Sequence, residues 1–313
     1  MTQMTNAQAR VIDPVLSNIA RGFTHNEFVA NVLFPRVDVG QRGGKIITFG
    51  REDFQIYQSA RAPGQNTKRV SFGYSGANYS LVDYSLEGVA PIENMQEANA
   101  VPGIDLGRLT LMKTDKLLAL QYEVAAAAVA RLAASYAAAN KTALSGAARW
   151  DQTTATPRTD ILDGREAVRA KIGKYPNVML MGPKPRTYLA EHSTIRDQFK
   201  YVSAQSVTND MIAKLFDIPY VVTGQAVYLD STGTQTDVWG TDVILAYVDV
   251  SGLRDMGSPS AFYGYNLNGY PAAEEPYYDR NSKSWIYPFT RVEAPVMAGA
   301  NGDGAFLIQT ASN

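Results

Sequence analysis

The chain has 313 residues, 45% of them apolar and 19% charged, and its formal net charge is −1. That balance lacks the basic excess of proteins that grip duplex DNA through many phosphates. There is no cysteine and there are two histidines, so disulfides, thiolate chemistry and cysteine-based metal sites are excluded.

Residues 1–48 read as an arm. Met1 to Arg10 is polar and is no secretory signal. Short helical patterns cover residues 17–21 and 26–33. Phe34, Pro35 and the alternating Val37 and Val39 predict an extended exit, and Gly40, Gly43 and Gly44 then punctuate the chain. The stretch from Gly40 to Lys45 faintly resembles a phosphate loop. It is one residue short, and Ile46 stands where Ser or Thr would bind magnesium, so it is rejected.

Residues 45–88 predict a long β-excursion. Ile46, Ile47 and Phe49 form one apolar run, and Val70, Phe72 and Tyr74 alternate strictly. Tyr79 and Leu81, then Val82 and Tyr84, do the same, and period two argues strand. Between the two limbs, residues 59–66 carry turn chemistry around Pro63 and Gly64. No second apolar face is evident, and a lone hairpin needs another surface to lie on. The burial of arm and excursion is therefore expected to come from another copy of the chain.

Charge splits across this region. From Arg36 to Arg69 there are seven basic and three acidic residues; from Val70 to Gly107 there are five acidic residues and no basic ones. Two solvated faces would explain the split. So would register between copies, with Arg51, Arg61, Lys68 and Arg69 of one lying on Glu87, Glu93 and Glu97 of the next; such pairs tune specificity more than affinity.

The spacing predicts one long helix over 108–140, with Asp105 as N-cap. Leu118, Tyr122, Ala125, Val129, Leu132 and Tyr136 stay on one stripe at about 100° per residue. Lys113, Lys116, Glu123 and Arg131 fall opposite. Ten of the fifteen residues from Ala125 to Ala139 are alanine, which favours helix and close approach by neighbours. A helix packed across a sheet of its own fold is expected in preference to a coiled coil. Arg131 breaks the apolar run, so no membrane span is expected.

Residues 151–285 predict an α/β region, with helices over 160–174, 186–199 and 209–216, the last capped by Thr208. Strands are predicted over 178–181, 220–222, 225–229 and 243–248. Residues 286–313 alternate as strands around a turn at 299–304. No internal repeat is present.

Chemistry is hard to place on this chain. His25 and His192 lie in separate segments, and neither accompanies a nucleophile elbow. His192 reads as a capping or surface residue. Glu274 with Glu275, and Glu93 with Glu97, read as surface acids. The turn at 301–304 lacks a calcium-loop pattern. Tyr263, Tyr265, Tyr270, Tyr277, Tyr278, Trp285 and Tyr287 have few basic neighbours, so they read as core or interface and not as a base-stacking platform. No catalytic residue, metal site or cofactor is expected.

The order of arm, β-excursion, long helix, α/β region and final strands resembles the major capsid proteins of tailed double-stranded DNA bacteriophages with the Hong Kong 97-type fold. Short stretches add to the resemblance. Leu16-Ser17-Asn18-Ile19-Ala20-Arg21-Gly22-Phe23, with Phe28-Val29-Ala30 and Leu33-Phe34-Pro35, looks like the arm. Phe49-Gly50-Arg51-Glu52-Asp53-Phe54 and Arg61-Ala62-Pro63-Gly64 look like the extended loop. Leu180-Met181-Gly182-Pro183 with Leu189, and Val238-Trp239-Gly240 with Leu245-Ala246-Tyr247, look like the axial domain. The resemblance spans nearly the whole chain.

It implies an α+β fold with an N-terminal arm (1–48), an extended β-hairpin loop (49–88), a peripheral domain built on a long spine helix (89–150 and 285–313) and an α/β axial domain (151–284). It implies self-assembly into hexamers and pentamers, an icosahedral head enclosing DNA without sequence-specific binding, and location in the virion after assembly in the host cytoplasm. Expected partners are a portal protein, a separately encoded scaffold (the arm-like stretch begins almost at Met1) and a possible decoration protein. Some relatives crosslink through a loop lysine. Lys45 and Lys68 are in range, but no partner residue matches. Another virion component, of tail or decoration, and an enzyme with a carboxylate site in 151–285 stand as alternatives.

Overall fold

The computed structural model describes residues 27–45, 78–99, 105–199, 207–249, 260–298 and 302–310, with isolated positions between 56 and 69. The helix Leu106–Ala130 is its backbone element. Asp105 caps it, accepting a 3.0 Å hydrogen bond from the Arg108 backbone N–H.

The helix stops ten residues short of the predicted end at 140, despite its alanines. Tyr136 is buried, and its hydroxyl donates to the Ala130 carbonyl at 2.6 Å, satisfying one of the last helical acceptors. The chain then continues as the tight turns Ala133–Ser135 and Ala138–Asn140. Tertiary burial of one aromatic overrides the local propensity.

The buried stripe follows Leu118 and Tyr122 as predicted, then runs through Ala126 and Ala130 in place of Ala125 and Val129. Leu132 is exposed. Glu123, assigned to the polar face, is buried.

The helix lies across two sheets. Leu111 and Leu118, in its first half, pack with Phe289 and Ala273 of a six-stranded sheet. Tyr122, Ala126, Ala127 and Ala130, in its second half, pack with Leu180, Ile244 and Leu307 of a five-stranded sheet. Gly88 permits the close approach, since a Cβ there would stand 2.5 Å from Thr110 Cγ2 and 2.6 Å from Thr114 Oγ1.

The five-stranded sheet runs in the order Lys141–Ala143, Ala305–Gln309, Asp242–Ala246, Val178–Met181, Tyr220–Thr223. Val178–Met181 and Asp242–Ala246 are buried throughout, as strands covered on both faces must be. Their second face meets Ile161 and Val168 of the helix Pro157–Ile172, Leu189 of Pro183–Glu191, Ile195 of Ser193–Phe199 and Ile212 of Asn209–Phe216. Thr208 caps that last helix through a 3.4 Å bond from Met211 N–H.

The single helix predicted over 186–199 breaks at His192. Its carbonyl accepts from the N–H groups of Ile195 and Arg196, both at 3.0 Å, and its Nδ1 lies 2.8 Å from Thr194 Oγ1. His192 is thus a capping residue, buried and not at the surface.

In the other sheet, Ser284–Met297 is central. Val82–Pro91 pairs along one side of it, and Tyr277–Asp279, Ala272–Ala273 and Phe262–Leu267 pair along the other. Sheet membership cuts across the expected boundaries at 150 and 284. The strands between 262 and 279 join this sheet, while Ala305–Gln309, expected to return to the long helix with its neighbours, pairs with Asp242–Ala246.

The expectation that the arm is buried only by another copy fails for residues 29–39. Leu33 and Phe34 are fully buried in their own chain, and the Phe34 ring lies 4.8 Å from Phe262. Arg36–Val39 pairs in parallel with Phe262–Leu267. Leu81, on the second limb of the excursion, and Ala90, just beyond it, are likewise buried in cis. The excursion's base is an antiparallel ladder of Gly43–Lys45 with Asn78–Ser80, on which Tyr79 stacks over Tyr265 at 4.5 Å. Gly43 and Gly44 of the rejected phosphate-loop stretch are part of this ladder. The strands predicted at 46–49 and 70–74, the helical pattern at 17–21 and His25 lie outside the described residues.

Candidate assembly surfaces

Val82–Pro91 is the edge of its sheet among the described residues, and the helix Ile92–Asn99 follows it directly. Glu87 on the strand and Glu93 and Glu97 on the helix are all exposed, so one strand–helix unit presents the three acids. Glu87 accepts a 3.3 Å bond from the Tyr277 hydroxyl. Val89, beside it, is 54% exposed. A long unpaired edge of this kind is a template for another chain.

Of the four basic residues proposed to meet these acids, Arg61 and Arg69 are exposed on the excursion, and Arg51 and Lys68 lie outside the described residues. Ile56, on the same excursion, is 95% exposed. The charge split is partly satisfied in cis, because Arg42 from the basic stretch is ion-paired with Asp83 from the acidic one. Both side chains are about half exposed, where such pairs contribute little to stability.

Beneath the surface, charged groups hold the elements in place. Glu123 accepts from Val29 N–H at 3.0 Å, Ala30 N–H at 2.9 Å and Trp239 Nε1 at 2.6 Å. Burial pushes its carboxyl above the usual range, and these donors pull it partly back. Arg291 joins the long strand to the long helix through Asp115 at 2.5 Å and faces Glu293 at 3.5 Å. Burial works against the Arg291 charge, but the two carboxylates outweigh it and hold its pKa above the ordinary guanidinium value. Arg131, just past the helix end, bonds Asp242 at 2.5 Å; burial raises the Asp242 carboxyl and the guanidinium restrains it.

Sequence reading missed this set. One signal was available: at about 100° per residue, Glu123 falls roughly 20° from Ala130, well inside the buried arc.

A cleft of about 1220 Å³ in the five-stranded region is lined by Arg186, Glu191, Arg196, Asp197 and Asp210 among others. Its charges are of both signs, so it is not the acid-lined pocket that the enzyme alternative calls for. Glu274 accepts from Thr290 Oγ1 at 3.3 Å, a bond within the sheet.

Residues 126–288 match the phage major capsid protein E family. The major capsid protein of Burkholderia phage BcepMu is 31% identical over 306 residues, covering 96% of this chain and 97% of that protein. A crystal structure of a phage-related protein from Bordetella bronchiseptica RB50 is 39% identical with a TM-score of 0.82, covering 97% of this chain and 98% of that one. The capsid structure of cyanophage P-SCSP1u shares the fold at 11% identity and a TM-score of 0.56, covering 91% of this chain and 89% of that one. The mixed helix-and-sheet architecture is therefore the Hong Kong 97-type capsid fold, and the chain belongs to the phage major capsid protein E family.

Proposed function

We propose that the chain is the shell-forming subunit of a phage head, closing into pentamers and hexamers around double-stranded DNA that it encloses without reading its sequence. The observation that carries this reading is the excursion. Its root is fixed by the ladder at Gly43–Lys45 and the Tyr79–Tyr265 stack, while Ile56 further out is 95% exposed in the single chain. An apolar side chain on a rooted extension gains only when another surface removes it from water.

On this reading residues 1–48 act as the arm, 49–88 as the loop lying on the adjacent copy, and 89–150 with 285–313 as the peripheral domain. Residues 151–284 supply the axial domain, apart from the strands between 262 and 279 that join the other sheet, and its copies meet around five- and six-fold axes through heterologous, ring-closing contacts. Arg51, Arg61, Lys68 and Arg69 meet Glu87, Glu93 and Glu97 of the neighbour. Each copy buries more than about 2,000 Å², the range of obligate interfaces. A portal protein, a separately encoded scaffold and possibly a decoration protein complete the head, which assembles in the host cytoplasm.

Electron microscopy of the expressed protein tests the proposal, with closed shells as the expected result. Deleting residues 51–69 should leave a folded, soluble subunit that makes no shells. Wild-type-like particles from the deletion would contradict it.

A further inference from the structure

Asn268 and Gly269 form the tip of a tight turn that closes the strand Phe262–Leu267. The Tyr270 N–H donates back to the Leu267 carbonyl at 3.1 Å, and Gly269 has φ +91°, the setting of the third residue of a type II turn. Both tip residues are exposed. The turn sits beside the root of the excursion. The Asn268 N–H donates to the Val39 carbonyl at 2.9 Å, and the Asn268 amide nitrogen lies 4.0 Å from where a Gly40 Cβ would stand.

Asparagine is a thermolabile residue, and a following glycine, lacking a Cβ, leaves its own backbone nitrogen open to the asparagine side chain. The chain contains two such pairs, Asn268-Gly269 and Asn301-Gly302. Their glycines differ in setting. A Cβ on Gly269 would meet nothing within 4 Å. Gly302 is buried, its carbonyl accepts from Asn140 Nδ2 at 3.0 Å, and a Cβ on it would stand 3.1 Å from Tyr136 Cδ1. A pinned, buried backbone reacts only after local opening.

We propose that Asn268 is a site of spontaneous deamidation in the folded subunit and reacts ahead of Asn301. The Gly269 backbone nitrogen loses its proton to solvent and attacks the side-chain carbonyl carbon of Asn268. A C–N bond forms, closing a cyclic imide; the bond to the amide nitrogen breaks, and ammonia leaves with a proton taken from water. Water then opens the imide at either carbonyl, giving aspartate or isoaspartate. Either product places a carboxylate where a neutral amide stood, next to the end of the arm strand at Val39. Isoaspartate also reroutes the main chain through the former side chain.

The test incubates the purified full-length subunit in mildly alkaline buffer, natively and in urea, and follows tryptic peptides by mass spectrometry. Cleavage after Arg254 and Arg280 isolates Asn268, and cleavage after Arg291 isolates Asn301. The native protein should convert Asn268 about tenfold faster than Asn301 or more, as local protection of the second pair requires, and urea should bring the two rates within about twofold. Asn268→Gln should abolish the mass change in the first peptide. Native conversion at Asn268 no faster than at Asn301 overturns the inference. So does a preference that persists undiminished in urea, because the fold would not be its cause.

Discussion

The indole N–H of Trp239 donates to Oε1 of Glu123 at 2.6 Å, with no water-exposed edge on either side chain. The same carboxylate also receives the backbone N–H groups of Val29 and Ala30. Three segments distant in sequence thus converge on one buried acceptor.

Replacing Glu123 with alanine strands three buried donors. Hydrogen bonds to charged groups contribute about 1.5–3 kcal/mol each, with incomplete additivity, so Glu123→Ala should cost about 3–5 kcal/mol. Urea unfolding of the monomer measures it. A loss within 0.5 kcal/mol, the ordinary range for surface substitutions, would sink the account.

The pH dependence follows from the raised carboxyl. Its folded pKa lies above its unfolded value, so the folded state binds the proton more readily. The contribution is fully present below the unfolded pKa and falls as pH rises through the folded one. Relative to Glu123→Gln, the parent should therefore gain stability on acidification through that window. Paired denaturation curves at pH 4 and pH 7 check the sign, and an opposite or absent trend refutes it.

Arg291 neutralises two buried carboxylates. Arg291→Ala takes the guanidinium away from Asp115 and Glu293, and a broken buried ion pair typically costs about 3–5 kcal/mol. Replacing all three with apolar residues of matching volume should recover most of that loss. Chemical denaturation of the single and triple variants separates the outcomes, and equal loss in both would count against the electrostatic cause.

Arg61 and Arg69 are exposed on the excursion. Reversing both to glutamate should lower shell yield at least tenfold while circular dichroism and monomer sedimentation stay unchanged. Added Glu87→Lys and Glu93→Lys should restore part of the yield. Full assembly of the double reversal would remove these residues from the interface.

Much of the architecture was legible because it rests on periodicity. The long helix and its Asp105 cap, the buried strand Val178–Met181 and the Thr208-capped helix all follow from local signals. The missed features depend on distant partners. Nothing near Ala130 announces that Tyr136 will turn back to cap it, and nothing near Glu123 names Trp239. Phe34 looked like an unpartnered arm residue because its partner, Phe262, lies more than two hundred positions away. The acids at 87, 93 and 97 were legible as a surface, since an exposed charge needs no partner to be read.

The Leu106–Ala130 helix is seated on both sheets at once, which denies the molecule a joint at its waist. Tilting one sheet against the other would bend a stiff rod or open a packed seam. Subunits set in differently curved parts of a container would then carry this body through every setting as a nearly rigid tile.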